Sequence, residues 1–260
     1  MNIVNVTNVT HYTDRLFKFR TTRPKTFNFK AGEFVLIGLD NWSEKLQRNK
    51  PIMRAYSMSS GPYDDELEFY SIKVPNGPLT SKLQHIKIGD ELILGPKSTG
   101  TLVTSSITLG GNLWLMGTGT GVAPFMSLLR DPEIYEQFDN IYLTWTTRTH
   151  EEQEAFAPIL ETGIHECTYI PTFTQESPLN YEGLIQKYQG RITNLIKDGT
   201  VFSEATPEND KVMLCGSMEF NLEMKEYLEE RGWEEGSRKS MGTFVLEKAF
   251  VRWENLSNMC

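Results

Sequence analysis

The chain has 260 residues, of which 39% are hydrophobic and 23% are charged, with a net charge of −8. This composition excludes an intrinsically disordered chain. There is no apolar run near the roughly 20 residues that a membrane span needs, no signal-peptide pattern, and no disulfide framework or zinc spacing among Cys167, Cys215 and Cys260. We therefore expect a cytoplasmic, globular protein.

The charge is divided unevenly along the chain. Residues 1–105 contain 14 Lys and Arg against 10 Asp and Glu, whereas residues 106–260 contain 12 against 24. A basic segment followed by an acidic one predicts two domains, 1–105 and 106–260, with different partners. Chance and solvated surface charge explain the same asymmetry equally well at this point.

Residues 1–105 have the pattern of a β-domain. Short apolar or alternating runs predict strands at 34–39, 52–59 and 67–74, and turn-forming glycines and prolines separate them. A short helix is predicted at 79–85. Many short strands at this spacing predict a small antiparallel β-barrel.

From about residue 110, apolar strands alternate with helices. The predicted strands are 113–117, 141–146, 167–174, 211–215 and 244–248. The predicted helices are 124–130, 151–161, 191–197 and 219–231. This alternation predicts an α/β domain with a doubly wound parallel sheet.

The most informative motif of the second half is rich in glycine. Gly117-Thr118-Gly119-Thr120-Gly121 follows a predicted strand and precedes a predicted helix. Glycines let the backbone approach a pyrophosphate closely, and a helix start offers free N–H groups. The spacing differs from the dinucleotide fingerprint Gly-x-Gly-x-x-Gly, so a tight turn without a ligand is the alternative.

Three further motifs are ambiguous by themselves. Arg54-Ala55-Tyr56-Ser57 either presents a guanidinium to phosphate and a ring to an aromatic ligand, or is a polar edge strand. Residues 74–81 form a turn before a helix, which is typical both of anion sites and of ordinary capped helices. Cys215 ends a strand where ligands bind in such sheets, yet a lone cysteine is usually structural.

In their order along the chain, these motifs resemble those of one family. They are Arg54-Ala55-Tyr56-Ser57, the runs 69–81 and 117–125, Gly190-Arg191-Ile192-Thr193, Cys215-Gly216-Ser217 and the run 245–251. The set resembles the bacterial type of ferredoxin (flavodoxin)–NADP(+) reductase over nearly the whole chain. The resemblance implies an FAD-binding barrel, an NADP-binding α/β domain, and electron transfer between NADP(H) and ferredoxin or flavodoxin.

The resemblance assigns FAD to the first domain. Arg54 would neutralise the pyrophosphate, Tyr56 would stack on the isoalloxazine and Ser57 would contact it near N5. The other FAD contacts that it implies are Ala55, Tyr70, Lys73, Pro78, Leu79, Thr80 and Thr120, together with Ala249 and Phe250 from the tail.

The resemblance assigns the nicotinamide nucleotide to the second domain. Arg148 and Arg191 would bind the 2′-phosphate, because a doubly charged anion calls for arginines. Gln175 stands where relatives often have Arg, so the preference for NADP over NAD is expected to be weaker. The other NADP contacts that it implies are Gly119, Gly121, Thr147, Cys215 and Gly216.

A mechanism follows from the same resemblance. Hydride would pass between nicotinamide and flavin, with Ser57, Cys215 and Glu247 shaping the site. Single electrons would go to a separate carrier, because the chain has no cysteine cluster for an iron–sulfur centre. We expect a monomer whose basic half steers an acidic ferredoxin or flavodoxin. The basic residues assigned to this surface are Lys45, Arg48, Lys50, Lys82, Lys87 and Lys97.

Two other functions fit part of the pattern. One is an NADH-dependent reductase that serves an oxygenase or another acceptor, which Gln175 favours. The other is a non-catalytic nucleotide-binding subunit. A colourless purified protein would favour the second function. The retained residues that argue against it are Arg54, Tyr56, Ser57, Cys215 and Glu247.

Overall fold

A computed structural model of the chain describes residues 1–40, 42–43, 48–156, 167–176 and 188–248. The described residues belong to two compact units. The first comprises Met1–Val103, Ala123–Pro132 and the described part of a segment that begins at Glu151. The second comprises Thr104–Val122, Glu133–His150 and the described residues after 166. Within these ranges, no helix has the length and apolar character needed to cross a membrane.

The first unit contains a six-stranded antiparallel sheet that curls into a barrel. Along the chain the strands of this half are β1 (Asn2–His11), β2 (Leu16–Thr22), β3 (Phe34–Leu39), β4 (Trp42–Ser43), β5 (Arg48–Asn49), β6 (Ile52–Ser57), β7 (Glu66–Ile72) and β8 (Glu91–Leu94). The sheet order is β6-β3-β8-β1-β2-β7, while β4 and β5 form a separate two-stranded sheet. An antiparallel bridge between Met58 and Phe69 joins the two outer strands. A short helix, α1 (Thr80–Leu83), lies between β7 and β8.

Aromatic side chains fill the barrel. Successive residues on a strand point to opposite faces, so Phe17 and Phe19 on β2 point the same way, and both are fully buried. Their ring centroids lie 6.0 Å apart, and Phe19 stacks on Phe69 of β7 at 5.2 Å. Each such ring contributes about 1.5–3 kcal/mol of burial free energy. The strand predicted at 67–74 thus supplies Phe69 to the core, whereas β2, which supplies Phe17 and Phe19, was not among the predicted strands.

A buried carboxylate lies at the centre of a cluster of cations in the same unit. Glu68 on β7 is only 1% exposed, and its carboxylate accepts hydrogen bonds from Arg20 Nε at 2.8 Å and Arg130 Nη1 at 3.1 Å. Lys18 Nζ lies 3.2 Å from the same carboxylate, and Ser59 Oγ donates to it. Burial alone would raise the pKa of Glu68, but the neighbouring cations outweigh burial and lower that pKa to about 2.

The second unit is built on a six-stranded parallel sheet. Its strands are β9 (Asn112–Thr118), β10 (Asn140–Thr147), β11 (Cys167–Phe173), β12 (Tyr188–Gln189), β13 (Asp210–Gly216) and β14 (Phe244–Lys248). The order is β12-β11-β10-β9-β13-β14, so the chain begins at a central strand, builds outwards on one side and then crosses to the other. The carboxyl ends of β10 and β13 flank β9 at this reversal, which is where ligands bind in such sheets.

Among the described residues, the remaining α-helices all come after β9 in the chain. They are α2 (Ala123–Leu129), which groups with the first unit, and α3 (Ile134–Gln137), α4 (Ile192–Lys197) and α5 (Met218–Glu229) in the second. Apolar residues of α4 and α5, among them Ile192, Phe220 and Met224, share one core with Trp114 and Leu214 of the sheet. All seven residues of β13 are buried, as expected for a central parallel strand.

The two predicted sheet types, an antiparallel barrel and a doubly wound parallel sheet, are confirmed. One helix differs from its prediction. The structure has a 3₁₀ helix over Glu151–Phe156, and the rest of the predicted helix at 151–161 lies outside the described residues. The described stretch begins with four polar residues and so offers no apolar stripe to an α-helix. The domains 1–105 and 106–260 stay a prediction.

Candidate functional site

The glycine-rich turn continues β9 as a 3₁₀ helix over Gly119–Val122. Gly119 has φ +55°, in the left-handed region that favours glycine, and a Cβ there would meet nothing within 4 Å. A Cβ on Gly121 would lie 2.1 Å from the carbonyl oxygen of Cys215. Only glycine therefore lets the turn approach the end of β13 this closely, while space beside Gly119 stays open.

A cleft of about 470 Å³ opens at the carboxyl edge of the parallel sheet. Its walls come from the ends of four strands and from the starts of α4 and α5. They are Thr118, Thr146, Arg148, Thr174, Gln175, Arg191, Ile192, Thr193, Ser217, Glu219, Phe220 and Glu223. The cleft lies where the strand order reverses, so its position is that of a ligand site in this class of sheet.

Both predicted 2′-phosphate ligands, Arg148 and Arg191, line this cleft. Arg148 follows the last residue of β10, and Arg191 is the extended residue that precedes α4. Both side chains are exposed, whereas Thr147 is buried and its hydroxyl donates to the carbonyl of Thr149 at 2.8 Å. Both arginines thus lie in the walls of one cleft, whereas Thr147 is buried at the end of β10.

Hydrogen bonds join the loops that follow β10 and β11. The amide of Gln175 donates to the carbonyl of Arg148 at 2.9 Å. The backbone amide of His150 donates to Glu176 Oε2 at 2.7 Å, and His150 Nδ1 lies 2.8 Å from Glu176 Oε1. These bonds fix the backbone at Arg148 and Gln175. Gln175, where the resemblance leads us to expect an arginine, therefore lies beside Arg148.

Two hydroxyl-bearing residues, Thr193 and Ser217, also line the cleft. The sequence analysis assigned no role to either of them. Thr193 is 2% exposed, and its hydroxyl has no hydrogen-bond partner within the described part of the chain. Ser217 precedes α5; its Oγ accepts from the amide of Phe220, and its own amide donates to Thr118 Oγ1. Both residues stand in motifs that carry the family resemblance, but no role was assigned to them, because strand ends and helix starts with hydroxyl residues are common in proteins.

Cys215 and Glu247, both predicted at the hydride-transfer site, are neighbours in register on β13 and β14. Cys215 is buried, and burial together with the Glu247 carboxylate raises the pKa of the thiol well above its usual value. Glu247 is half-buried, and its carbonyl accepts a hydrogen bond from Asn221 of α5 at 2.7 Å. The thiol therefore stays protonated and neutral.

The predicted FAD strand is β6 of the first unit. Arg54 and Tyr56 alternate with Ala55 and Ser57, and of these four residues only Ala55 is exposed. The Tyr56 hydroxyl lies 3.1 Å from Ser71 Oγ, its ring meets Phe19 edge-on, and burial raises its pKa. Tyr56 is thus fixed at both ends, while Arg54 donates to the carbonyl of Met53.

The predicted pyrophosphate turn lies between β7 and α1. A Cβ on Gly77 would lie 2.1 Å from Thr80 Oγ1, and that hydroxyl donates to the carbonyl of Val74 at 3.2 Å. Pro78 is half-buried and Leu79 is buried in the barrel core, so the turn is anchored there.

Three other predicted FAD contacts have varied surroundings. Tyr70 is buried, and its ring lies parallel to that of Tyr12 at 6.5 Å. The Lys73 ammonium donates to the carbonyl of Thr13 at 2.8 Å. Thr120 is half-buried in the glycine-rich turn of the second unit. Ala249, Phe250 and Lys45 lie outside the described residues.

Comparison with known proteins finds similar sequences and a similar crystal structure over nearly the whole chain. Residues 1–101 match the family model described as an oxidoreductase FAD-binding domain. The chain is 46% identical to a flavodoxin/ferredoxin–NADP reductase of Rhodobacter capsulatus, covering 95% of this chain and 92% of that one. It is 40% identical to a ferredoxin–NADP reductase of Azotobacter vinelandii, covering 96% and 98%. The crystal structure of a Neisseria gonorrhoeae ferredoxin NADP+ reductase with bound FAD and NADP matches with a TM-score of 0.84 at 27% identity, covering 96% and 98%.

Proposed function

We propose, since the chain belongs to the family of ferredoxin/flavodoxin–NADP reductases, that it is an FAD-dependent enzyme transferring electrons between NADP(H) and a ferredoxin or flavodoxin. The observation that carries the proposal is the cleft at the carboxyl edge of the parallel sheet, with Arg148 and Arg191 in its walls. Exposed arginines contribute little to holding a fold together, so their convergence on one cleft points to an anionic ligand.

The nucleotide would bind along this edge. Guanidinium groups match phosphate oxygens in geometry, which assigns the 2′-phosphate to Arg148 and Arg191. A Cβ on Gly216 would lie 2.3 Å from Thr118 Oγ1, so the end of β13 is as tightly constrained as the turn at Gly121. Gly121 and Gly216 let β9 and β13 pack closely at their ends, while the open space beside Gly119 would let a dinucleotide approach the backbone there.

FAD would be held by the first unit. β6 offers what a flavin needs: a guanidinium at Arg54, a fixed aromatic ring at Tyr56, and only a methyl group at the exposed Ala55. Ser57 and the anchored turn at Pro78–Thr80 would supply hydrogen bonds along the cofactor. When bound, FAD takes up two electrons as hydride and releases them singly, which is chemistry that side chains cannot provide.

Cys215 and Glu247 would position the nicotinamide. A neutral thiol does not act as a base or nucleophile, so the buried Cys215 would contribute shape and polarisability. The Glu247 carboxylate lies close enough to act on the Cys215 thiol electrostatically, and it can accept a hydrogen bond from the nicotinamide amide.

The carrier would dock on the first unit. Lys50, Lys82, Lys87 and Lys97 are all exposed, as the prediction of a basic surface requires. An acidic ferredoxin or flavodoxin would be attracted to such residues, and its association rate would fall as salt rises. We further propose that the enzyme acts as a monomer in the cytoplasm.

The test is stopped-flow reduction of the purified, oxidised protein by NADPH and, separately, by NADH. Flavin bleaching that is faster with NADPH, followed by electron transfer to an added ferredoxin or flavodoxin, is the expected result. A protein without flavin would contradict the proposal. Equal rates with both dinucleotides would instead favour an NADH-tolerant reductase, for which the exposed Gln175 in the cleft is the specific indication.

A further inference from the structure

The walls of the cleft carry acidic as well as basic side chains. Glu219 and Glu223, both on α5, line it together with Arg148 and Arg191. A site adapted only to a 2′-phosphate would exclude carboxylates, because two like charges a few ångströms apart repel each other. Carboxylates are therefore not expected in the walls of a cleft that only has to bind a 2′-phosphate.

The two glutamates are not equivalent. Glu223 Oε1 accepts a hydrogen bond from Lys197 Nζ at 2.6 Å, so a cation of the protein balances its charge. Glu219 lies in the first turn of α5, and its Oε2 is 3.9 Å from Arg191 Nη1, one of the two predicted phosphate ligands. Its side chain is 80% exposed, so the fold does not require its charge.

We propose that Glu219 is a specificity-determining residue that weakens the preference of this cleft for NADPH over NADH. A phosphate that binds Arg191 must displace the Glu219 carboxylate or lie beside it, and a phosphate monoester carries about −1.5 to −2 charges at neutral pH. NADH has a hydroxyl at the same position, and a carboxylate accepts a hydrogen bond from a ribose 2′-hydroxyl. Glu219 thus weakens the binding of NADPH and accommodates NADH.

Gln175 also weakens the preference of the cleft for NADPH over NADH. It lines the cleft with a neutral amide, so it adds no positive charge for a 2′-phosphate. The inference rests on the proposed function, because it identifies the cleft with the 2′-phosphate site.

The test is Glu219→Gln, with Glu226→Gln as the matched control. Glu226 is exposed on the same helix, seven residues further on, and does not line the cleft. Calorimetric titration with adenosine 2′,5′-bisphosphate and with 5′-AMP measures the effect of the 2′-phosphate without turnover. We expect Glu219→Gln to bind the bisphosphate about three- to tenfold more tightly, with 5′-AMP binding unchanged, as for removal of one exposed charge beside a dianion.

Steady-state kinetics provide the second measurement. For Glu219→Gln, the KM for NADPH should fall by the same factor as the bisphosphate Kd, with kcat and the KM for NADH unchanged. An unchanged ratio of bisphosphate to 5′-AMP affinity would overturn the inference, as would an equal change in Glu226→Gln. If neither dinucleotide reduces the wild-type protein, the proposed function fails, while the calorimetric ratio still decides the role of Glu219.

Discussion

The barrel and the parallel sheet use their charged residues in opposite ways. In the barrel, the carboxylate of Glu68 is removed from water and surrounded by cations of the same unit. In the sheet, Arg148 and Arg191 stay exposed on a cleft, where a ligand can reach them. A buried charge must be matched by the protein itself, whereas an exposed charge is available for binding. Changes in the first set should therefore affect stability, and changes in the second should affect affinity.

The largest expected effect is that of Glu68→Gln. Removing this carboxylate leaves Lys18, Arg20 and Arg130 without their shared counter-charge, which should lower the free energy of unfolding by about 3–5 kcal/mol. Urea denaturation of the two proteins measures the difference. The control is Glu66→Gln: Glu66 is 40% exposed and 3.9 Å from Arg20, so its loss should change the value by less than about 0.5 kcal/mol. Similar small changes in both variants would show that the cluster is not a stability element.

The stability contributed by Glu68 should also depend on pH. The pKa of Glu68 falls from 4.5 to about 2 on folding, so its contribution is complete above the unfolded pKa and is lost as the pH falls through the folded one. By about pH 3 the wild type should lose about 2 kcal/mol through this group. Urea midpoints at neutral and acidic pH should therefore converge for the wild type and Glu68→Gln. A constant gap between them would contradict the role of Glu68.

In the sheet, Arg148→Ala and Arg191→Ala should each raise the KM for NADPH about 10- to 100-fold, because a hydrogen bond to a charged group is worth about 1.5–3 kcal/mol. The KM for NADH and the free energy of unfolding should barely change. Arg231→Ala is the control, since Arg231 is a half-exposed arginine beyond α5 that does not line the cleft. An equal rise in the KM for NADPH and for NADH would show that these arginines do not bind the 2′-phosphate.

The smallest expected effect concerns Cys215. Because burial and Glu247 raise the pKa of this thiol well above its usual value, it should stay protonated between about pH 7 and 9, where an ordinary cysteine begins to titrate. The rate of flavin reduction by NADPH should then show no thiol titration in this range, in the wild type or in Cys215→Ser. A titration that disappears in Cys215→Ser would mean that the thiolate takes part.

Elements with strong local patterns could be predicted from the sequence. The apolar runs of β9, β10 and β13 and the amphipathic α5 appear within two residues of their expected bounds. Cys215 and Glu247 each lie near the end of a predicted strand, but their pairing depends on β13 and β14 being neighbours, which local pattern does not give.

Long-range contacts could not be predicted in this way. Glu68 and Arg130 are 62 residues apart, and nothing in either segment marks a partner. Glu219 has the pattern of an ordinary first-turn acid, which helix starts favour for reasons unrelated to a ligand. Its place in the cleft depends on how α5 and α4 pack, and local sequence does not encode that packing.

The grouping of Ala123–Pro132 with the barrel affects how this chain could be recombined with its relatives. A chimera joined near residue 105 would take Glu68 from one parent and Arg130 from the other, although the two form one ion cluster. Exchanging residues 1–105 together with 123–132 keeps that cluster within a single parental background. The part of the sequence that must be exchanged to transfer the barrel with its ion cluster is therefore discontinuous.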